Sequence, residues 1–307
     1  MQEHRQKRAS IYREITDKIV AMIEAGPGIF KAPWHLPPGM AIHPTNASTH
    51  AEYRGINVLG LWIEATLKNY VSNLWASYRQ WGSMGAQVRK GEKGALVVFY
   101  KRIEATAPDE TDHERTGTLR YVARASYVFN ADQVDGYTPA PAPIATFNQI
   151  EEVEAFVEAI DARIDHGHPL AKYRRVEDRI EMPDRTWFVG SNGHTAEQSY
   201  YAVLLHELIH WTGAEHRLNR VFGARYGDHA YAFEELVAEL GAAFMCAAFG
   251  VATEPRPDHA AYVKEWLSVL KDDPRAIFTA AREAQSAFEY LSYLATRNDA
   301  GQPSKDA

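Results

Sequence analysis

The sequence predicts an α+β chain, with a mixed α/β N-terminal part and a mainly helical C-terminal part. Three observations carry this. Two β-rich runs, ALVVFYKRI at 95–103 and Tyr121 to Asn130, lie among helical segments in the first 136 residues. Five helical segments follow residue 146, with only short strand-like runs between them. A Pro-rich stretch, YTPAPAPIA at 137–145, separates the two parts, and such stretches are stiff and rarely enter cores. The expected boundaries are therefore 1–136, a linker at 137–145, and 146–300.

The elements follow in order. Ile11, Ile15, Ile19, Met22 and Ile23 share one face of a helix over 10–25, and Gly26 is a stop signal. Residues 27–52 are rich in Pro, Gly, Ser and Thr and read as loop. Ile56–Asn69 reads as a second helix and Leu74–Trp81 as a third. Arg89-Lys90-Gly91-Glu92-Lys93-Gly94 has the composition of a hairpin tip leading into 95–103. Residues 103–119 are polar and aperiodic, as in an insertion. After the linker come a helix over Gln149–Asp165 and two short strands, Arg179–Met182 and Thr186–Val189. The second of these could be an edge to which a peptide adds. Tyr200–His210, Ala232–Phe249, His259–Leu270 and Ala276–Leu294 read as helices, and NDAGQPSKDA as a disordered tail.

Of the 307 residues, 46% are apolar and 24% charged, which excludes a wholly disordered or fibrous chain. The single cysteine, Cys246, excludes an intrachain disulfide and a multi-cysteine zinc site, and suits a reducing cytosol. No run of ~18 apolar residues is present, so no transmembrane helix is expected. MQEHRQKRAS leads into an amphipathic segment, not an apolar one, so a secretory signal is not expected and the location is read as cytoplasmic.

The net charge of −7 hides an uneven distribution. Residues 1–102 hold 14 Lys and Arg against 7 Asp and Glu, while the remainder holds 19 against 33. A basic block points to a polyanionic partner. Four of the seven tryptophans, Trp34, Trp62, Trp75 and Trp81, fall in that block, and WASYRQWGSMGAQVRKGEKG (75–94) interleaves rings with cations. Single-stranded nucleic acid is held this way, with cations along phosphates and rings under bases. Trp75, Tyr78 and Trp81 at i, i+3, i+6 are equally the face of a core helix, and Trp62 sits in an apolar run.

The strongest chemistry is His206-Glu207-Leu208-Ile209-His210 within an apolar helix. Residues i and i+4 share a helix face, so both imidazoles can reach one ion, with Glu207 beside it as general base. Zn²⁺ is the natural ion, and another divalent ion such as Mn²⁺ is an alternative. Two kinds of third ligand are available. HELIHWTGAEH matches the spacing that would recruit His216. AFEELVAELGAAFM offers Glu235, with Glu234 and Glu239 as further alternatives. Glu235 is preferred. No Met-turn accompanies His216, because Met245 lies in a helical apolar pattern, and acidic residues beside the apolar stripe of Leu236, Val237 and Leu240 require a partner. Glu239, one turn on, is placed to support a ligand histidine.

At this point the two halves together resemble the ArdC-type antirestriction proteins and the related N-terminal region of TraC-type plasmid primases. The N-terminal resemblance rests on Trp34, Asn46, Tyr53-Arg54-Gly55-Ile56-Asn57, Trp62, Trp75, Tyr78-Arg79-Gln80 and the string from Gly85 to Gly94. The C-terminal resemblance rests on Tyr200, Tyr201, LLHELIHWTG, Arg217-Leu218-Asn219-Arg220 and EELVAELGAAF. It implies an N-terminal domain that binds single-stranded DNA, a C-terminal zincin-like metallopeptidase domain with a glutamate third ligand, and protection of incoming plasmid DNA from host restriction during conjugation. On this reading Glu207 is catalytic, and His206, His210 and Glu235 hold the metal. Arg54, Arg89, Lys90 and Lys93 meet phosphates, Trp34, Tyr53, Trp75 and Tyr78 offer rings, and Asn57 and Gln80 complete the DNA-binding set. The partners expected are single-stranded DNA and a protein substrate, such as a host restriction component, with no membrane. A second reading is a DNA-coating protection protein whose metal site is structural or vestigial. A nuclease is disfavoured, because phosphodiester hydrolysis generally uses carboxylate-rich Mg²⁺ or two-metal sites.

Overall fold

The computed structural model of the chain describes residues 2–25, 43–103, 120–138, 149–190, 195–222, 229–251 and 259–299. In the N-terminal part the elements are α1 (Gln2–Ala25), β1 (Thr45–Asn46), α2 (Ile56–Lys68), β2 (Leu74–Ala76), α3 (Tyr78–Ser83), β3 (Gln87–Val88), β4 (Ala95–Ile103), β5 (Arg120–Asn130) and β6 (Val134–Asp135). There follow α4 (Gln149–Ile160), β7 (Ile164–Asp165), β8 (Lys172–Arg174), β9 (Arg179–Glu181), α5 (Ala196–Thr212), α6 (His229–Phe249), α7 (His259–Asp272) and α8 (Ala276–Asp299). The class is α+β, as expected. The linker at 137–145, the polar segment at 103–119 and the terminal tail fall almost wholly outside the described residues.

Three sheets form. The largest has strand order β1-β2-β5-β4, with β1 parallel to β2 and the other pairs antiparallel. β3 pairs with β6, and β7-β9-β8 make a three-stranded sheet. Residues 89–94 therefore join two different sheets and are not the tip of a hairpin, because β3 takes β6 as partner while β4 takes β5. Gly91, at φ 89°, supplies the left-handed residue this turn needs.

Two expected elements differ. Leu74–Trp81 is not one helix: Leu74–Ala76 is strand β2, and α3 begins only at Tyr78. Ser77 sets that start through a capping box, accepting from Gln80 N at 3.3 Å while donating its own N–H to Gln80 Oε1 at 2.9 Å. Thr186–Val189 is not a strand. Trp187 N bonds Asp184 O and Phe188 N bonds Arg185 O, so its amides close a 3₁₀ turn instead of a ladder. The edge strand beside α5 is β8.

The helices form where the patterns require. Thr195 and Gln198 make a second capping box that starts α5. α6 is apolar on nearly every face and is buried from Glu234 to Ala247. A Cβ on Gly241 would lie 2.7 Å from Ile209 Cδ1, so glycine there permits α6 to cross close against α5. Among the described residues no helix is long and apolar enough to cross a membrane.

One apolar core runs through both parts of the chain. Ile15, Ile19 and Ile23 of α1, Leu59 and Trp62 of α2, and Val97 of β4 belong to the same buried cluster as Phe244 of α6 and Ala280, Ala284 and Leu291 of α8. Polar contacts reinforce the junction. Thr16 Oγ1 donates to Pro274 O at 2.8 Å, Gly55 N to Gln285 Oε1 at 3.0 Å, and Arg54 pairs with Glu289 at 3.0 Å. Non-directional burial of this kind holds without chain continuity. A chain cut by an engineered protease site within 139–148 is therefore expected to elute as one species on gel filtration; separate elution of the two pieces would contradict the shared core.

Candidate metal centre and nucleic-acid surface

α5 and α6 bring six ionisable groups together at their crossing. His206, Glu207 and His210 come from α5, and Glu234, Glu235 and Glu239 from α6, all of them buried. The spacing explains the convergence. Positions 206 and 210 lie one turn apart on α5, and 235 and 239 one turn apart on α6.

The three α6 carboxylates divide the imidazoles between them. Glu234 Oε1 lies 3.1 Å from His210 Nδ1, and Glu239 Oε1 lies 3.1 Å from His206 Nδ1. The hydrogen bond to Glu234 favours the His210 tautomer with its proton on Nδ1, which leaves Nε2 as the donor atom, and the Glu239 charge beside His206 Nδ1 acts in the same direction. The two Nε2 atoms are 3.2 Å apart, and Glu235 faces both, one oxygen 3.5 Å from each. Ligand atoms of His206, His210 and Glu235 all lie within 4.8 Å of one another. Two nitrogens and a carboxylate in this arrangement suit a divalent ion.

Burial opposes ionisation of Glu235, but His210 and His206 in their protonated form and a hydrogen bond from Tyr231 outweigh it, and the carboxyl is lowered to about 2; a metal ion would supply the same positive charge to neutral imidazoles. Burial likewise opposes charge on Glu234, and hydrogen bonds from His210 and Arg220 bring its pKa down nonetheless. Arg220 clamps Glu234 with two bonds, at 3.0 and 2.8 Å, and also donates to Thr212 Oγ1 and to the Ile209 carbonyl at the end of α5. Four carboxyl groups thus face one guanidinium, an excess of buried acid that a divalent cation offsets.

Glu207 is held from the sheet. Its Oε2 accepts from Tyr173 N at 2.8 Å. Ile180, opposite Tyr173, donates to Arg163 on the β7 side, so this is a non-hydrogen-bonded pair and the Tyr173 amide points outward to α5. The Tyr173 phenol is pushed up to about 12 by burial and by its bond to Asp178.

His216 is turned away. It is 63% exposed, 3.4 Å from Asp178 and hydrogen-bonded by Arg217 at 2.7 Å. Arg217 lies over Trp211, 3.7 Å from the ring centroid, and bonds Asp178, which draws the 214–219 turn toward the β8–β9 loop. The metzincin-like spacing therefore does not place this histidine at the cluster. Glu234 and Glu239 face Nδ1 atoms instead of the shared point. The role of Arg220 was missed; its signal lay in the RLNR string, whose last residue reaches back to α6.

The N-terminal candidates separate into buried and exposed. Trp75 is 1% exposed, packed edge-on against Tyr70 in strand β2, and presents no face to a base. Tyr53 is buried and receives a bond from Asn46, which exchanges amide bonds with Gln80. Asn57 is buried, and its amide bonds both the N–H and C=O of Val98, closing the outer edge of β4. Trp75, Tyr53 and Asn57 are thus engaged within the fold, and half-buried Gln80 is held by Asn46 and the Ser77 amide. Trp34 lies outside the described residues. Arg54 is exposed but paired with Glu289. Arg89 bonds the Asp132 carbonyl and spans Glu92 and Asp135, while Tyr78, Lys90 and Lys93 are exposed.

Comparison with known proteins agrees with both parts. Residues 9–129 match the family described as the N-terminal domain of anti-restriction factor ArdC, and residues 151–283 match the zincin-like metallopeptidase family MPTase-PolyVal. The uncharacterized protein y4eC of Sinorhizobium fredii (strain NBRC 101917 / NGR234) is 42% identical over 292 residues, covering 93% of this chain and 92% of its own. DNA primase TraC of Escherichia coli is 33% identical over 299 residues, covering 91% of this chain but 27% of the primase. The chain thus spans about a quarter of that relative. Among solved structures, the metal-free antirestriction ArdC protein from plasmid R388 superposes with a TM-score of 0.75 at 40% identity, covering 93% of this chain and 98% of that one. Its Mn(II)-bound form gives 0.73 at 39%, covering 92% and 97%. With near-complete coverage at this identity, the chain belongs to the ArdC antirestriction family and carries a zincin-like metallopeptidase fold.

Proposed function

We propose that the chain is a metal-dependent peptidase that also binds single-stranded DNA, and that it protects incoming plasmid DNA from host restriction during conjugation. The observation that carries the peptidase reading is the division of carboxylates at the α5–α6 crossing. Glu235 faces both Nε2 atoms while Glu234 and Glu239 face the Nδ1 atoms. His206, His210 and Glu235 would hold the ion, Zn²⁺ by donor chemistry, with Mn²⁺ as an alternative because a relative's structure contains it. When bound, the ion supplies Lewis-acid polarisation and lowers the pKa of water toward about 7.

The protein's own groups do the rest. Glu207 takes a proton at its carboxylate and returns it to the leaving amine. The Tyr173 amide restrains that carboxylate through one hydrogen bond. Glu234 and Glu239 orient the ligand rings. A protein substrate, such as a host restriction component, follows from the zincin-like fold and the family's antirestriction role. The single-strand reading draws on the basic N-terminal block, the ArdC N-terminal match and the relationship to a primase. A cytoplasmic location fits such partners.

Three outcomes are expected. After dialysis, Glu235→Ala loses bound metal while His216→Ala retains it; equal retention by both would remove Glu235 from the ligand set. Glu234→Gln, which keeps the shape but not the charge beside His210, weakens metal affinity by about 10–100-fold in competition titrations. Glu207→Gln keeps the metal and abolishes cleavage of a denatured protein substrate. If Glu207→Gln protects transferred DNA in a conjugation assay as well as the unaltered chain does, protection is by coating alone.

A further inference from the structure

The sheet face beside α3 has the chemistry that the buried candidates lack. Tyr78 is 55% exposed and Tyr127 57% exposed. Phe129 lies two residues beyond Tyr127 on β5, so both rings leave the strand on one face. Tyr78 meets Phe129 edge-on, with centroids 6.3 Å apart. Gly94 stands against the same rings: a Cβ there would lie 3.0 Å from Tyr127 Cβ and 3.2 Å from Phe129 Cζ. Tyr78, Phe129 and Tyr127 thus share one face, and glycine at 94 lets the two β5 side chains pack directly on the 94 backbone.

Tyr78 and Phe129 are also one wall of a groove of about 700 Å³ whose other wall is the 87–92 turn with Asp135. That volume falls within the roughly 300–1,000 Å³ of ligand pockets. Gln87 Nε2 donates to Tyr78 Oη at 2.8 Å and steadies the ring. The two carboxylates in the groove are already countered, since Arg89 lies 3.2 Å from Glu92 and 3.5 Å from Asp135. Hydrogen bonds from Gln133 and Arg89 hold Glu92 below the usual carboxylate range. Among the described residues, no carboxylate pairs with Lys90 or Lys93, and both are exposed. Exposed rings beside uncommitted ammonium groups suit unpaired bases joined by phosphates. A duplex keeps its bases stacked on one another and gives such rings nothing to cover.

We propose that a single-stranded nucleic acid lies in this groove, lined by Tyr78, Phe129 and Lys90, and runs on over the adjoining face of β5, its bases on Tyr78, Phe129 and Tyr127 and its phosphates on Lys90 and Lys93. This rests on the single-strand reading above and gives it a location. Phe129 packs from behind against a smaller buried cluster that includes Ala76, Trp81 and Val134, so the tests fall on its exposed neighbours.

The full chain is titrated with a mixed-sequence DNA oligonucleotide carrying one 2-aminopurine, whose fluorescence falls on stacking. Tyr78→Ala with Tyr127→Ala is expected to weaken binding about tenfold or more and to abolish the quenching, with the salt dependence unchanged. Lys90→Ala with Lys93→Ala is expected to reduce the slope of log K against log salt by about 0.7 for each lysine. Circular dichroism of each variant checks that it is folded. Tight binding by the unaltered chain with both double variants indistinguishable from it overturns the groove while leaving the single-strand reading intact. No binding by the unaltered chain overturns both. Equal or tighter binding of the matching duplex overturns the stacking role.

Discussion

The structure turns on the way three carboxylates of one helix share two imidazoles of another. Glu234 and Glu239 lie 3.1 Å from the two Nδ1 atoms, and Glu235 faces the two Nε2 atoms. Each contact depends on the others. A histidine without its Nδ1 partner loses the tautomer that presents Nε2, and a glutamate buried without a cation or donor is costly. The arrangement requires α5 and α6 to cross closely, which Gly241 permits against Ile209. Arg220 ties the crossing off. It neutralises Glu234 and closes the carbonyl end of α5, and losing one member of such a buried pair costs on the order of 3–5 kcal/mol.

Around this centre the fold supplies orientation more than chemistry. The three-stranded sheet sends one amide, Tyr173 N, to Glu207. The Arg217–Asp178–Tyr173 contacts brace the β8–β9 loop against the end of α5 and draw His216 outward. The N-terminal part packs onto α7 and α8 through α1 and α2, and Trp62 approaches Phe244 of α6 at 6.0 Å between centroids. The helix carrying the three glutamates is thus supported on its far side by residues of the N-terminal part. Mechanical separation of the two parts is not what this packing favours.

Much of the metal centre was legible because its information is local. The i, i+4 histidines and the acidic residues on an apolar helix identify themselves by spacing and by the cost of burying them. Choosing between Glu235 and His216 needed tertiary structure, since both fit a known spacing. What turns His216 away is the turn after Gly213 and the pull of Arg217, neither of which has a periodic signature. The N-terminal surface was harder to read. Trp75 and Tyr78 share a helical interval, yet Trp75 belongs to a strand and only Tyr78 to the helix, because Ser77 begins α3 between them. Tyr53, Asn57 and Gln80 are polar residues of a recurring motif, and their bonds turn out to close the fold. Tyr127 and Phe129 went unnoticed because they are far in sequence from the basic residues they adjoin, and β5 brings them there.

Whether His206, His210 and Glu235 hold one ion is read by anomalous diffraction at the metal edge. Crystals of the chain equilibrated with Zn²⁺ are expected to show one strong peak within about 2.0–2.2 Å of both Nε2 atoms and a Glu235 oxygen, with Glu234 and Glu239 still on the Nδ1 side. A peak at His216, at Glu234, or on the Nδ1 atoms would contradict the account.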